Sequence, residues 1–246
     1  MDPAGLGRLW RPAAQRRVRT AFSSIASARA DWAKASSRGL AAATALVNAH
    51  ITKGFIGGMD IGILADLKGI KDSAKMKLRQ RQEKHLANVV EAYEELVRTL
   101  SQMEEAASSM RTYLVAPNGS PIVRVANAEE SKLAEAAGDN GLGQGVPVYA
   151  CLSLKTLESL AMEMVEFYKQ ELHVKFLLTS EFQALVHGTP ESSSDEDSAG
   201  VARASGRAVS ETTLQVYLTA WLGEALLDKS RLDEIVGIMS EEMQAA

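Results

Sequence analysis

The residues of this chain that could do chemistry are few, and their spacing does not bring them together. The single cysteine, Cys151, lies at the start of a predicted helix, where the helix dipole would lower the pKa of its thiol. Nucleophilic catalysis also requires a base beside the nucleophile, and no histidine is placed to help Cys151. We therefore interpret it as a small apolar residue. A lone cysteine also excludes an internal disulfide and fits a reducing compartment.

The other candidates for catalysis or metal binding are equally isolated. The four histidines are His50, His85, His173 and His187. None has the His-x-x-x-His or Cys-x-x-Cys spacing that brings metal ligands together. Paired carboxylates, such as Glu94 with Glu95 and Glu241 with Glu242, are interpreted as solvated helix surface. We therefore expect no metal, no other cofactor and no enzymatic activity.

Two glycine-rich stretches meet only part of the requirement for a phosphate-binding loop, which opens a helix and usually carries a lysine. "GFIGGMDIG" (54–62) lacks a Lys-Ser or Lys-Thr ending, and "GLGQG" (141–145) follows no predicted strand. We interpret both as flexible connections. The basic run 68–84 contains no aromatic residue, which favours a solvated helix over a nucleic-acid surface.

The elements that would position these residues are predicted to be helices. Apolar residues make up 46% of the chain but aromatic residues only 5%, and much of the apolar share is alanine, a strong helix former. A weak apolar stripe predicts a first helix from about Ala13 or Thr20 to Ile51. The arginine-rich stretch 1–20 is predicted to be a disordered tail or a nuclear-import signal, with a transit peptide less favoured.

The clearest pattern is a heptad seam of apolar residues. Spacings of three and four alternate through Leu86, Val89, Tyr93, Leu96, Leu100, Met103, Ala107, Met110 and Leu114. A stripe this narrow packs against another long helix. The first helix, folded back through the glycines, is the nearest partner, and a second copy of the chain is the alternative. We therefore predict an all-α fold with a long antiparallel helical hairpin over residues 21–114.

The C-terminal half is predicted to be a helical region (151–246) that follows a linker (115–150). The linker includes a short hairpin at "VAPNGSPIVRV", and a third helix runs from about Leu154 to Val186. A loop over 188–209, rich in serine and acids, is expected to be disordered. Its serines suit acid-directed kinases; they are Ser192, Ser193 and Ser194.

The last helices begin at Ser210, a good N-cap residue. At helical spacing one face carries Tyr217, Leu218, Trp221, Leu222 and Ala225. We predict that this face packs on the 167–185 helix and buries most of Trp221. The 228–242 helix then offers a mostly charged outer face to a partner.

Two motifs in this region occur together in one known family. The first is an aromatic pair followed by a basic residue and Glu-Leu, here Phe167, Tyr168, Lys169, Glu171, Leu172 and Lys175. The second is Leu-x-x-Tyr-Leu-x-x-Trp, here Leu214, Tyr217, Leu218 and Trp221. With "ADW" at 30–32, they resemble the cyclin-dependent kinase 2-interacting protein family. The similarity is specific over about 151–242, although "LGEALL" after Trp221 lacks the family's proline-aromatic step.

The resemblance implies a non-catalytic adaptor in the nucleus. Relatives are linked to replication kinases at origins, to damage-checkpoint signalling, and to a hexameric AAA+ ATPase assembly that serves large-ribosomal-subunit maturation and replisome turnover. The implied partners are AAA+ ATPase subunits, a second helical adaptor, cyclin-dependent and replication kinases, and checkpoint proteins. We expect no direct contact with nucleic acid or membrane. The alternative is a homodimeric coiled-coil scaffold or tethering protein without ATPase partners.

Overall fold

The computed structural model describes residues 3–114, 132, 134–136, 138–188 and 210–245, and their regular structure is helical. The helices are α1 (Pro3–Phe55), α2 (Ile70–Ser108), α3 (Leu154–His187), α4 (Glu211–Gly223) and α5 (Lys229–Gln244). Short 3-10 turns connect α1 to α2, and another lies at Gly143–Gly145. The predicted all-α fold is confirmed. None of the described helices is both long and apolar enough to cross a membrane.

The first two helices form the predicted antiparallel hairpin. Nε2 of Gln82 in α2 lies 3.2 Å from Nδ1 of His50 in α1. Further along, Arg38 of α1 forms an ion pair with Glu95 of α2. Later positions of α2 therefore meet earlier positions of α1, as they must when two helices run in opposite directions.

The basic stretch 1–20, expected to be disordered, is instead helical from Pro3 onward. Proline suits the first turn of a helix, because the N–H that it lacks would have no partner there. Within this stretch Trp10, Ala14 and Val18 recur every four residues and are all buried. The expectation relied on the arginines and overlooked this apolar face, which lies between them.

The second helix ends at Ser108, six residues before the predicted end at Leu114. Most of the seam is buried, namely Leu86, Val89, Leu96, Leu100, Met103, Ala107 and Met110, whereas Tyr93 and Leu114 are half-buried. Tertiary hydrogen bonds replace the helical ones beyond Ser108. The amide of Thr112 donates to the Gly141 carbonyl at 3.1 Å, and that of Leu114 donates to Asp139 at 2.7 Å. The prediction that the helix reaches Leu114 is therefore wrong.

The stretch before α3 is packed structure rather than a linker over residues 138–153. Val148 and Tyr149 are buried, and the Tyr149 hydroxyl donates to the Gln15 carbonyl at 2.7 Å. Gly143 has a φ of 63°, and a Cβ built on it would overlap the Trp10 indole. Gly143 of "GLGQG" thus permits a close approach to the indole, and at this position the stretch is packed instead of being a flexible connection.

Other predictions fall on residues that the structure does not describe. The short hairpin expected at 115–125 lies outside the described residues. The same is true of Ser192, Ser193 and Ser194, and only Gly188 of the 188–209 loop is described.

The chain folds into two compact units. Unit 1 comprises Met1–Asp31, Arg98–Gln170 and Leu226–Ala246, and unit 2 comprises Trp32–Val97 and Glu171–Ala225. The core of unit 1 includes Trp10, Ile25, Met103, Leu157, Met164 and Met239. The core of unit 2 includes Trp32, Leu46, Leu96, Phe182 and Trp221.

Candidate functional site

In unit 2, Trp221 of α4 is 0% exposed, so the predicted burial is confirmed. The helix begins after Ser210, whose hydroxyl accepts a hydrogen bond from the Thr213 amide at 3.1 Å, as expected of an N-cap. The Trp221 indole Nε1 donates to the Ser36 carbonyl of α1 at 2.9 Å. Its ring centroid lies 6.5 Å from that of Phe182 in α3. Trp221 thereby fixes α4 against two other helices.

A glycine in α1 makes room for this indole. Gly39 is buried, and a Cβ built on it would overlap Cζ2 of Trp221. The same Cβ would lie 3.3 Å from the Cβ of Ala92 in α2. Small residues on α1 and α2 therefore leave a slot that the indole fills, with no space for another methyl group.

Beside the indole lies Lys175 of α3, a lysine with 0% exposure. Its Nζ is 3.4 Å from Oε1 of Glu171, which is also 0% exposed, and 4.8 Å from the centroid of the Trp221 ring. It also donates to the Trp221 carbonyl. That carbonyl belongs to the last turn of α4, where carbonyls lack helical partners and the helix dipole is negative. A carboxylate, a helix end and an aromatic face together offset the cost of burying the charge.

The residue that ends α4 makes a second link to α1. Glu224 has left-handed backbone angles, φ 48° and ψ 56°, which are unusual for a residue other than glycine. Its Oε1 accepts hydrogen bonds from the Ser36 hydroxyl at 3.0 Å and from the Trp32 indole at 3.3 Å. These bonds stabilise the left-handed conformation of Glu224, which ends α4 at Gly223.

The remaining residues of the predicted α4 face differ in burial. Tyr217 is half-buried, with its ring edge-on to Phe182 at 6.2 Å, and Leu218 is half-buried too. Leu222 is 64% exposed and Ala225 is exposed, so their predicted packing on α3 is wrong. Leu222 lies one position beyond Trp221 and is rotated away from the face, and Ala225 lies beyond the end of the helix.

The residues that carry the family resemblance divide between the two units. In the buried cluster of unit 2, Lys175 contacts both Glu171 and Trp221, and Trp32 is joined to the cluster through Glu224 and Ser36. Phe167 and Tyr168 belong to unit 1, where the Tyr168 hydroxyl accepts from Nε of Arg29 at 3.2 Å. Phe167 and Leu172 are half-buried, and Lys169 is exposed.

Unit 1 contains a buried carboxylate that the sequence interpretation missed. Glu242 of α5, expected on solvated surface, is only 6% exposed. Its carboxylate accepts hydrogen bonds from the backbone N–H groups of residues 150, 151 and 152, at 3.2–3.3 Å, and from the Cys151 thiol at 2.6 Å. The sequence holds a signal for this burial, because Leu232, Ile235, Met239 and Glu242 follow one helical stripe at 3-4-3 spacing.

The two titratable groups of this site shift each other's pKa. The hydrogen bond to Glu242, followed by burial and the negative charge, raises the pKa of the Cys151 thiol. Burial acts to raise the pKa of Glu242, but the bonds from the thiol and the three amides outweigh it and lower that pKa below its ordinary value. Cys151 also lies three residues before α3 begins. The site thus holds a neutral thiol against a charged carboxylate, the opposite of an activated nucleophile.

Two of the histidines, His50 and His173, make local contacts that suit a structural role. Burial, followed by the charge of Lys53, lowers the pKa of His50, which favours a neutral ring beside Gln82. His173 stacks on Phe176, with ring centroids 6.5 Å apart. Across the described parts of the chain, no three His, Cys, Asp or Glu side chains are grouped as a metal site would need.

Unit 1 also contains an apolar cleft of about 280 Å³ formed by α1, α3 and α5. Its lining includes Phe22, Ile25, Met164, Met239 and Met243, together with Arg19 and Arg29. The volume is near the lower limit of small-molecule pockets. Hydrocarbon and thioether groups dominate the lining, so the cleft suits packing rather than catalysis.

No model of a known protein family matches this chain, and no curated protein matches it. The resemblance to the cyclin-dependent kinase 2-interacting protein family therefore stays a prediction made from the motif residues alone.

Proposed function

We propose that this protein is a non-catalytic adaptor subunit that links a nuclear AAA+ ATPase assembly, replication kinases, or both to their substrates. The processes it would serve are large-ribosomal-subunit maturation, DNA replication and the damage checkpoint. One observation supports this most directly: four motif residues, Trp32, Glu171, Lys175 and Trp221, are each buried, and their contacts, which for Trp32 run through Glu224, join three helices of unit 2. Motif residues placed in this way maintain a scaffold, and the scaffold's surfaces remain for partners.

The state of the one cysteine agrees with a role that needs no nucleophile. Its thiol donates to Glu242 and has a raised pKa. Because the thiolate is the reactive form, this arrangement suppresses reactivity at neutral pH. His173, which is exposed, stacks on Phe176 at the surface.

The burial of the seam favours the adaptor over the homodimeric scaffold. Leu86, Val89 and Leu96 have exposures of 6% or less within a single chain. A homodimer through this seam would first have to remove them from their present contacts, at a cost that grows with the apolar area uncovered.

The test is affinity purification of the tagged full-length chain from its own cells at moderate salt, with identification of the recovered proteins by mass spectrometry. We expect AAA+ ATPase subunits accompanied by pre-ribosomal or replisome proteins. Recovery of the bait alone, or of membrane-coat proteins, would contradict the proposal. Light scattering on the purified chain distinguishes the adaptor from the homodimeric scaffold, since the scaffold has twice the mass of one chain.

A further inference from the structure

The connection between α1 and α2, here called the hairpin tip (residues 55–76), exposes six large apolar side chains. They are Phe55, Met59, Ile63, Leu64, Leu67 and Met76, with exposed fractions from 47% at Leu64 to 91% at Ile63. Isolated exposed apolar residues are normal on protein surfaces, but a group of them in one short segment marks an interaction site.

The hairpin tip is ordered by polar contacts that leave its apolar side chains outside. The ammonium group of Lys71 donates to the carbonyls of Gly57 at 3.1 Å and Met59 at 3.0 Å. The carboxylate of Asp60 accepts from the Gly62 amide at 2.9 Å. The backbone is thus fastened to the first turn of α2, and the exposure of the apolar residues is a property of the fold.

The surroundings of the hairpin tip are basic, although the whole chain carries a formal charge of −4. Within the tip three lysines are balanced by three aspartates, but residues 77–84 of α2, which follow it, add four lysines and arginines against one acid. Lys68, Lys75 and Lys77 lie in or next to the tip itself. A cluster of positive charges attracts a negatively charged surface and raises the rate at which the two proteins associate.

We propose that the hairpin tip docks into an apolar groove of a protein partner whose rim carries carboxylates. Exposed apolar residues beside lysines could also meet an anionic membrane, but Asp60 and Asp66 interrupt the apolar residues. Anionic headgroups form a continuous negative surface that would repel both carboxylates. The carboxylates at the rim of a protein groove can instead lie opposite the lysines and leave Asp60 and Asp66 facing water. The inference rests on the proposed function, since it gives the adaptor one of its docking surfaces.

The test combines a tip variant of the full chain with a matched control. The tip variant carries Ile63→Ser, Leu64→Ser and Leu67→Ser, and the control carries Val216→Ser and Leu222→Ser, which are 61% and 64% exposed in the same unit. Both should melt at the wild-type temperature. We expect the tip variant alone to lose about tenfold or more of the recovered partner, as hot-spot residues do.

A photo-cross-linker placed at position 63 in living cells then identifies what the tip touches. The expected cross-link joins a partner segment that combines apolar residues with Asp or Glu. The double variant Lys68→Glu, Lys75→Glu should lower the yield of this cross-link. Replacing the partner's Asp and Glu residues by lysine should restore the yield for that variant. Three results would overturn the inference. They are a cross-link to a second copy of this chain, binding of the pure protein to phosphatidylserine vesicles in place of a protein cross-link, and recovery of the partner by the tip variant at the wild-type level.

The two proposals fail in different ways. Recovery of every partner, AAA+ subunits included, at equal levels by the wild type and the tip variant would overturn the docking inference and leave the adaptor function standing. A charge-dependent cross-link to an acidic, apolar segment of an unrelated protein, without AAA+ recovery, would support the docking surface and contradict the proposed function.

Discussion

Each of the two units buries a charged side chain, and each stabilises it by a different means. In unit 2 the Lys175 cation is matched by a carboxylate one turn away, by the end of α4 and by the face of Trp221. In unit 1 the Glu242 carboxylate is held by three backbone amides and a thiol. In the first arrangement the two side-chain charges neutralise each other, so a substitution that removes one charge leaves the other buried without its partner. The second depends on backbone geometry and on the protonation of a single carboxyl group.

The largest effect should come from removing one charge of the unit 2 pair. Lys175→Met keeps the volume of the side chain but leaves Glu171 buried beside an apolar residue. We expect the free energy of unfolding to fall by about 3–5 kcal/mol, measured by chemical denaturation. The double variant with Glu171→Leu should recover most of this loss, because the pair is then replaced by apolar groups. A loss below about 1 kcal/mol in the single variant would show that solvent reaches the site.

The slot for Trp221 is expected to be the next most sensitive feature. Gly39→Ala places a methyl group against the indole and should cost about 1–3 kcal/mol through overpacking. Gly54 provides the matched control, since it lies near the end of the same helix with open space around it. Gly54→Ala should leave stability unchanged or raise it by about 0.5–1 kcal/mol. Equal effects of the two substitutions on the melting temperature would contradict the close packing described for Gly39.

Neutralising Glu242 should have an effect of at most the same size, and one that depends on pH. Glu242→Gln removes charge-assisted hydrogen bonds and should cost about 1–3 kcal/mol at pH 7, with Glu241→Gln as the exposed control. The pKa of Glu242 in the folded state lies below its ordinary value of 4.5. Its stabilising contribution is therefore fully present above about pH 4.5 and is lost as the pH falls through the folded pKa. The wild type and Glu242→Gln should converge in stability on acidification; curves that stay parallel would be evidence against this role.

The smallest effect concerns the reactivity of Cys151. Since Glu242 raises the pKa of the thiol, the protein should react with a chromogenic disulfide reagent near pH 8 more slowly than free cysteine does. Glu242→Gln should accelerate the reaction, and Glu241→Gln should leave its rate unchanged. If both variants react like the wild type, the carboxylate does not control the thiol.

Much of the fold could be predicted from the sequence, because helical periodicity is a local property. The seam through Leu86, Val89 and Leu96 predicted a long helix and a hairpin, and the stripe from Leu157 to Leu185 predicted α3 to within one residue of its end. The N-cap at Ser210 was also predictable, since capping depends on one side chain and the amide three residues later.

The boundaries that were predicted wrongly depend on distant residues. The helical start at Pro3 is stabilised by the burial of Trp10, whose indole Nε1 donates to the Thr112 carbonyl at 2.9 Å. The early end of α2 follows from bonds to Asp139 and Gly141. Bonds between residues more than twenty positions apart leave no periodic trace at the end of α2. In residues 1–20 an apolar face was present, but the arginines outweighed it in the sequence interpretation.

The sequence by itself determined that the elements are helices, which residues form the seam of α2 and that Trp221 lies on an apolar face, because each follows from spacing along a single helix. Only the tertiary structure decided that the seam packs on α1 and not on a second copy of the chain. It also decided that Glu171 and Lys175 are buried, that Glu242 meets the amides before α3, and that Gly39 faces the indole. A charged residue on a helix is assigned to solvent unless a partner is known. Those partners are a helix end 46 positions away and backbone amides 90 to 92 positions away, and only folding brings them together.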